Sequence, residues 1–230
     1  MTSLEDGRRW VTQGTALFSR ALAGLRDEDL DRGCGLPGWT RKHLVAHVSA
    51  NAEAIGNLVH WAATDIPTPM YASTAQRAAD IERGSRLPAA QWRTWFVHSA
   101  QALDAAMGGL SADRWQTLVV TAQGRTVPAS QTAWMRAREV LIHAVDLDAG
   151  VGFADLPDDF LTSLMADIVA KRNSSPAGPA VLVTDGASRW ELTGPGDPVE
   201  VTGTLPVLSA YLAGRPHADL AHAPGLPPWL

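Results

Sequence analysis

The sequence predicts a four-helix bundle over residues 1–150, followed by a small α+β domain over residues 155–230. Three observations carry this expectation. Four long segments repeat apolar residues at helical spacing. After Gly150 the pattern changes to one amphipathic helix, three short alternating strands and a last helix. The fourth long segment, residues 128–150, is apolar around nearly its whole circumference, which marks a buried helix, yet it carries polar side chains along one side.

The elements follow in order. Residues 3–25 read as a helix with Trp10, Leu17, Ala21 and Leu25 near one face. The glycines and proline of DEDLDRGCGLPGWT break it. Thr40 suits the cap of a second helix running to about Trp61, with Leu44, Val48, Ile55, Leu58 and Val59 as its buried stripe. Asn51 lies inside that stripe and His47 on its border, whereas His43 is further round and His60 points away. Residues 62–87 form a long connector with a short helix expected over 75–82. A connector of this length in a compact domain often covers a functional site. Pro88 opens a third helix through Trp92, Trp95, Phe96 and Leu103 to Met107. TLVVTAQGRTV predicts a hairpin turning at Gln123-Gly124, and the fourth helix ends at Gly150.

Beyond Gly150, PDDFLTSLMADIVAKR reads as an amphipathic helix and NSSPAGP as a break. AVLVTD, RWELTG and VEVTGT read as strands. LPVLSAYLAGR returns to helix, with Gly214 as its cap. The proline-rich tail HAPGLPPWL predicts no regular structure.

Composition bounds the function. The chain has 230 residues, 46% hydrophobic and 19% charged, so a sizeable core is expected and disorder is not. Its net charge of −5 and lack of a basic run argue against a nucleic-acid partner. The only cysteine is Cys34, which excludes an intrachain disulfide and suits a reducing compartment. The first residues, MTSLEDGRRW, lack the apolar core of a signal peptide, and no apolar run reaches membrane-spanning length. A soluble cytoplasmic protein is expected, either a monomer or a weak homo-oligomer. Nine tryptophans imply core or pocket lining.

The chemistry starts from the fourth helix. Arg136, Glu139, His143 and Asp146 recur at i, i+3, i+7 and i+10, a single stripe. Buried polar side chains must find partners, because desolvation without compensation costs kilocalories each. Glu139 and His143, one turn apart, are placed to grip a metal from one side. The alternative is a buried ion-pair stripe with Arg136 holding Glu139. Bundles build metal sites from facing helices, and the inward His47 is the available third ligand, though a lone inward histidine also serves as a hydrogen-bonded core residue. Two histidines and a carboxylate with an open fourth position form a known catalytic zinc set, which also accepts other divalent ions. Asn51 and Asp146 are the expected neighbours that orient the histidine rings beside a bound cofactor.

LPGWTRKHLVAHVSANAEAIGNLVHWA, TPMYASTAQRAADIERG and QTAWMRAREVLIHAVDLDAG, in this order, resemble the mycothiol-dependent maleylpyruvate isomerase family, one of the DinB-like metal-binding bundles. The resemblance covers the bundle and the start of the second domain. It implies zinc ligands at His47, Glu139 and His143, and a small C-terminal α+β domain. It also implies a functional arginine at Arg215, in LSAYLAGRP, which would hold a carboxylate of the substrate or cofactor. A helix-end cation meeting the C-terminal dipole is the other account of Arg215. His43 departs from the acidic residue common at that place in the family, which matters little if it faces solvent.

The implied activity is the cis–trans isomerisation of maleylpyruvate to fumarylpyruvate, in aromatic-acid breakdown through gentisate. A thiolate that adds to the conjugated diketo acid makes the double bond temporarily single. Rotation and loss of the thiolate then give the trans isomer. Zinc bound to the thiol's sulfur removes its proton. The implied cofactors are zinc and mycothiol, and the implied partners a small-molecule substrate and a low-molecular-weight thiol. A mycothiol S-transferase acting on electrophiles, a zinc hydrolase and a non-catalytic metal-binding module remain as alternatives.

Overall fold

The computed structural model describes every residue except Met1, Ser175, Pro176, Asp219, Ala221, Trp229 and Leu230. It divides into two units, Met1–Val151 and Gly152–Leu230. The first contains α1 (Leu4–Ala23), α2 (Arg41–Thr64), α3 (Thr74–Ser85), α4 (Ala89–Gly108), β1 (Leu118–Val120), β2 (Thr126–Pro128) and α5 (Gln131–Asp146).

Helix α1 starts where the Ser3 hydroxyl accepts the Asp6 amide at 3.0 Å and stops at Gly24, just short of the expected end. Its buried face is centred on Trp10, Gly14, Phe18, Ala21 and Leu22, while Leu17 and Leu25 are only partly covered. Gly14 permits the close packing of α1 on α5: a Cβ there would meet Val140 Cγ2 at 2.5 Å and Leu141 Cγ at 2.8 Å. α2 packs against α4 and α5, and α1 also touches α4, which closes the bundle. α2 runs to Thr64, one turn further than the sequence suggests, and ends on Asp65 in the left-handed region at φ 59°.

Two apolar clusters fill the bundle. One gathers Phe18, Leu22, Leu44, Val48, Phe96, Val140 and Leu147. The other gathers Ile55, Leu58, Leu103, Met107, Trp115 and Val119. On α2 the first ends at Val48 and the second begins at Ala52, so Asn51 falls at their seam with His47 one turn before it. The predicted hairpin is present, with Val119 opposite Val127 and Gly124 at φ 75° in the turn. It is tied down by Val119, whose side chain is fully buried.

Arg41 fixes the angle between α2 and α5. Its buried guanidinium donates to the carbonyls of Leu147 (2.8 Å), Asp29 (3.1 Å) and Asp148. The first and last of these lie just past α5, where helix carbonyls lack internal partners and a cation is favoured. The start of α2 is thereby bolted to the end of α5.

The second unit contains α6 (Asp158–Ser174), β3 (Val181–Thr184), β4 (Arg189–Leu192), β5 (Val199–Thr202) and α7 (Leu205–Leu212). The strand order is β4-β3-β5, with β3 antiparallel to β4 and parallel to β5. Central β3 buries Val181 and Val183 completely, and α6 packs on β4 and α7. Gly214 follows the end of α7 at φ 66°, the conformation for which glycine is suited. The fold is thus the helical bundle followed by a small α+β unit that the sequence pattern predicts. No helix among the described residues is long and apolar enough to cross a membrane.

Candidate metal centre

The centre is built by α2 and α5. His47 and Asn51 are adjacent turns of α2, and Arg136, Glu139, His143 and Asp146 descend one side of α5. His47, Arg136 and Asp146 are buried, and Glu139 and His143 half-buried. Nε2 of His47 lies 3.1 Å from Glu139 Oε2, and Nε2 of His143 lies 3.3 Å from the same oxygen. One ligand atom from each of the three residues lies within 4.8 Å of the other two.

These atoms are close without bonding to one another. Glu139 Oε2 is buried and accepts no hydrogen bond. A buried carboxylate oxygen left unsatisfied is costly. Two imidazole nitrogens and a carboxylate oxygen directed into one small space match the donor set of a three-ligand zinc site with an open fourth position. The residues fit a divalent ion.

The neighbours support the same assignment. Asp146 Oδ2 lies 2.8 Å from Nδ1 of His143. A carboxylate can only accept, so Nδ1 carries a proton and Nε2 is the nitrogen directed at Glu139, the one left to meet a metal. Burial works against charge on His143, yet the hydrogen bond to Asp146 and the nearby negative charge of Glu139 outweigh it and push its pKa up to about 9. Burial pulls His47 down, against the opposing pull of Glu139. Burial also raises Glu139, but the two histidines together hold it well below the ordinary carboxylate range.

Arg136 does not hold Glu139 in the ion pair considered from the sequence; among the described residues it forms none. Its Nη1 donates to Val48 O at 2.7 Å and to Asn51 Oδ1 at 2.9 Å. Asn51 therefore orients Arg136 rather than a histidine ring. Burial lowers the Arg136 guanidinium to about 10. His43 is only partly solvent-facing. Its Nδ1 accepts the Thr40 amide at 3.3 Å and lies 2.7 Å from the Thr40 hydroxyl, capping α2, and its Nε2 lies 3.3 Å from Glu82 on α3. Arg215, in the other unit, donates from Nη1 to Ala213 O at 3.0 Å, beyond the end of α7.

Other residues at the centre carry little signal in the sequence. Trp39, in the loop before α2, stands edge-on to His47 with ring centres 5.5 Å apart. The connector delivers Arg77, whose Nη2 lies 3.3 Å from His47 Nδ1. Connector length pointed to a cover over a site, but nothing in its composition singled out Arg77.

The family model for the mycothiol maleylpyruvate isomerase N-terminal domain matches residues 11–148, the segment that holds all three metal-facing residues. The chain belongs to the mycothiol-dependent maleylpyruvate isomerase family. Two solved structures extend the match over both units. The crystal structure of the mycothiol-dependent maleylpyruvate isomerase is 40% identical, covers all of both chains and superposes with a TM-score of 0.95. A histidine-to-alanine mutant of that enzyme matches over the same extent with a TM-score of 0.94. No curated protein matches the chain.

Proposed function

We propose that this chain is a maleylpyruvate isomerase that turns the cis double bond of its substrate to trans with the help of mycothiol, and that the assisting metal is zinc. The carrying observation is the convergence of His47, Glu139 and His143 within 4.8 Å in a chain that matches an isomerase of that description end to end. A divalent ion held by His47, Glu139 and His143 would supply the Lewis acidity that deprotonates a thiol at neutral pH, and the thiol would supply the sulfur that adds to the double bond and leaves after rotation.

The chain's own residues do the rest. With a divalent ion bound, His47 and His143 would present neutral nitrogens and Glu139 one negative charge, which would leave the centre cationic and so favour a thiolate over a thiol. Asp146 locks the His143 ring and its tautomer. Trp39 stands edge-on to His47 and constrains the tilt of its ring. Arg215 is assigned to a carboxylate of the substrate or thiol, because its planar fork matches one with two parallel hydrogen bonds. The working compartment is the cytoplasm, in keeping with a lone half-buried cysteine.

The deciding experiment follows maleylpyruvate and its products in the presence and absence of mycothiol. Fumarylpyruvate formed only with the thiol supports the proposal. Thiol consumed stoichiometrically into an adduct would identify an S-transferase, and cleavage without thiol a hydrolase.

A further inference from the structure

The connector brings to the centre a cation that neither the ligand set nor the fold employs. Arg77 is half-buried on α3. Its guanidinium touches His47 Nδ1 and lies 5.8 Å from the centre of the Tyr71 ring. Among the described residues Arg77 forms no ion pair. Arg136 adds a second guanidinium, fully buried, whose Nη2 has no partner and whose electrostatic neighbours are Glu139 and Tyr71. Guanidinium groups withdrawn from water are normally matched by carboxylates. Here the two carboxylates of the centre, Glu139 and Asp146, already face the histidines. With a divalent ion in place the cluster carries a net double positive charge.

A cavity of about 420 Å³ opens beside this cluster, lined by Trp61, Met70, Tyr71, Arg77, Val120 and Thr121. It lies within the first unit, between the end of α2, the connector and the hairpin. Its walls are mostly apolar; Ser73, Thr74 and Thr121 add hydroxyls beside Tyr71, and Arg77 is its only charged group among the described residues. A small set of polar groups in an apolar cleft is the usual form of a site that orients a small anionic ligand.

The contact between Arg77 and His47 bears on when the cation is available. A guanidinium only donates, so Nδ1 of His47 accepts in this arrangement. A neutral imidazole that gives Nε2 to a metal carries its proton on Nδ1. That proton would face the Arg77 donor, so with a metal held by His47 the Arg77 fork would be available to another acceptor.

We propose that Arg77, assisted by the Tyr71 hydroxyl, binds a carboxylate of the ligand that occupies this cavity and so sets the centre's preference for anionic substrates. The identity of the substrate rests on the isomerase activity proposed above; the carboxylate site does not.

The test measures binding of maleate, a small cis-dicarboxylate, to zinc-loaded protein without thiol, by calorimetry. Wild type is expected to bind it. Arg77→Met, which keeps side-chain length, is expected to weaken maleate by about tenfold or more, as loss of a charge-assisted pair implies. Arg77→Lys should fall between, and Tyr71→Phe should show a smaller loss. Zinc content should stay equal to wild type in all three. In turnover, Arg77→Met should raise KM for maleylpyruvate more than it lowers kcat. Maleate that fails to bind wild type, or binds zinc-replete Arg77→Met as tightly as wild type, overturns the proposal. So does an Arg77→Met enzyme altered only in its KM for the thiol. Arg77-dependent maleate binding in a protein that does not isomerise maleylpyruvate would uphold the carboxylate site and reject the isomerase activity.

Discussion

Asp146 Oδ2 sits 2.8 Å from His143 Nδ1, three residues earlier on the same helix. The pair fixes which nitrogen of His143 faces Glu139. Asp146→Asn removes the charge and leaves an amide that can present a donor to Nδ1. Metal affinity is expected to fall by about 10–100-fold, the usual cost of losing a carboxylate behind a histidine ligand. Competition with a chromophoric chelator reads this directly. Unchanged affinity would mean that Asp146 serves only the packing of the loop around Gly35, whose amide donates to the Asp146 carbonyl at 2.7 Å.

Arg41 predicts a linked effect on stability and metal binding. Arg41→Met leaves the carbonyls of Asp29, Leu147 and Asp148 without their guanidinium donor. Losing charge-assisted bonds at a buried site should cost about 2–4 kcal/mol, read from urea unfolding. Because Arg41 joins the start of α2 to the end of α5, zinc affinity should fall as well. A destabilised variant with full affinity would separate the fold's bolt from the site's alignment.

Much of this was legible in the sequence, for a physical reason. Glu139 and His143 stood out as part of a polar stripe on a helix apolar nearly all round, and His47 as an inward polar residue at the border of the α2 stripe. The hairpin was legible because Gln123-Gly124 can take the turn that most residues resist. Arg41 and Arg77 were not. A cation at a helix start, or one among exposed residues of a short helix, looks the same whether it faces water or a buried carbonyl. Only the packing of distant segments decides, here Arg41 on the end of α5 and Arg77 on His47. The parallel pairing of β3 with β5 was hidden for the same reason, since alternation marks a strand but not its neighbour. Helix α2 outran its predicted end because Asp65 adopts the left-handed cap without a glycine to announce it.

The role proposed for Arg215 predicts a kinetic loss on the most conservative change. Arg215→Lys keeps the charge but not the planar fork. Turnover should fall by about tenfold or more, with zinc content unchanged. Unaltered kinetics would reduce Arg215 to its bond with the Ala213 carbonyl at the end of α7.

Cys34 offers a test of whether the attacking sulfur belongs to the protein. Burial raises its thiol above the usual value, and the Asp146 carboxylate adds to the effect. The thiolate is the reactive form, so alkylation by iodoacetamide should be slow at neutral pH and accelerate only on the alkaline side of an ordinary thiol. Cys34→Ser should keep both its zinc and its mycothiol-dependent activity. A thiol-free wild type that turned over normally, together with an inactive Cys34→Ser, would make Cys34 the nucleophile.

The central claim is that His47, Glu139 and His143 together hold one zinc ion. Elemental analysis of protein purified without added metal tests it most directly, run on wild type beside His47→Ala and His143→Ala. The expected result is near-stoichiometric zinc in the wild type and loss of most of it in each variant, with helical content preserved. Full zinc retained by both variants would contradict the site.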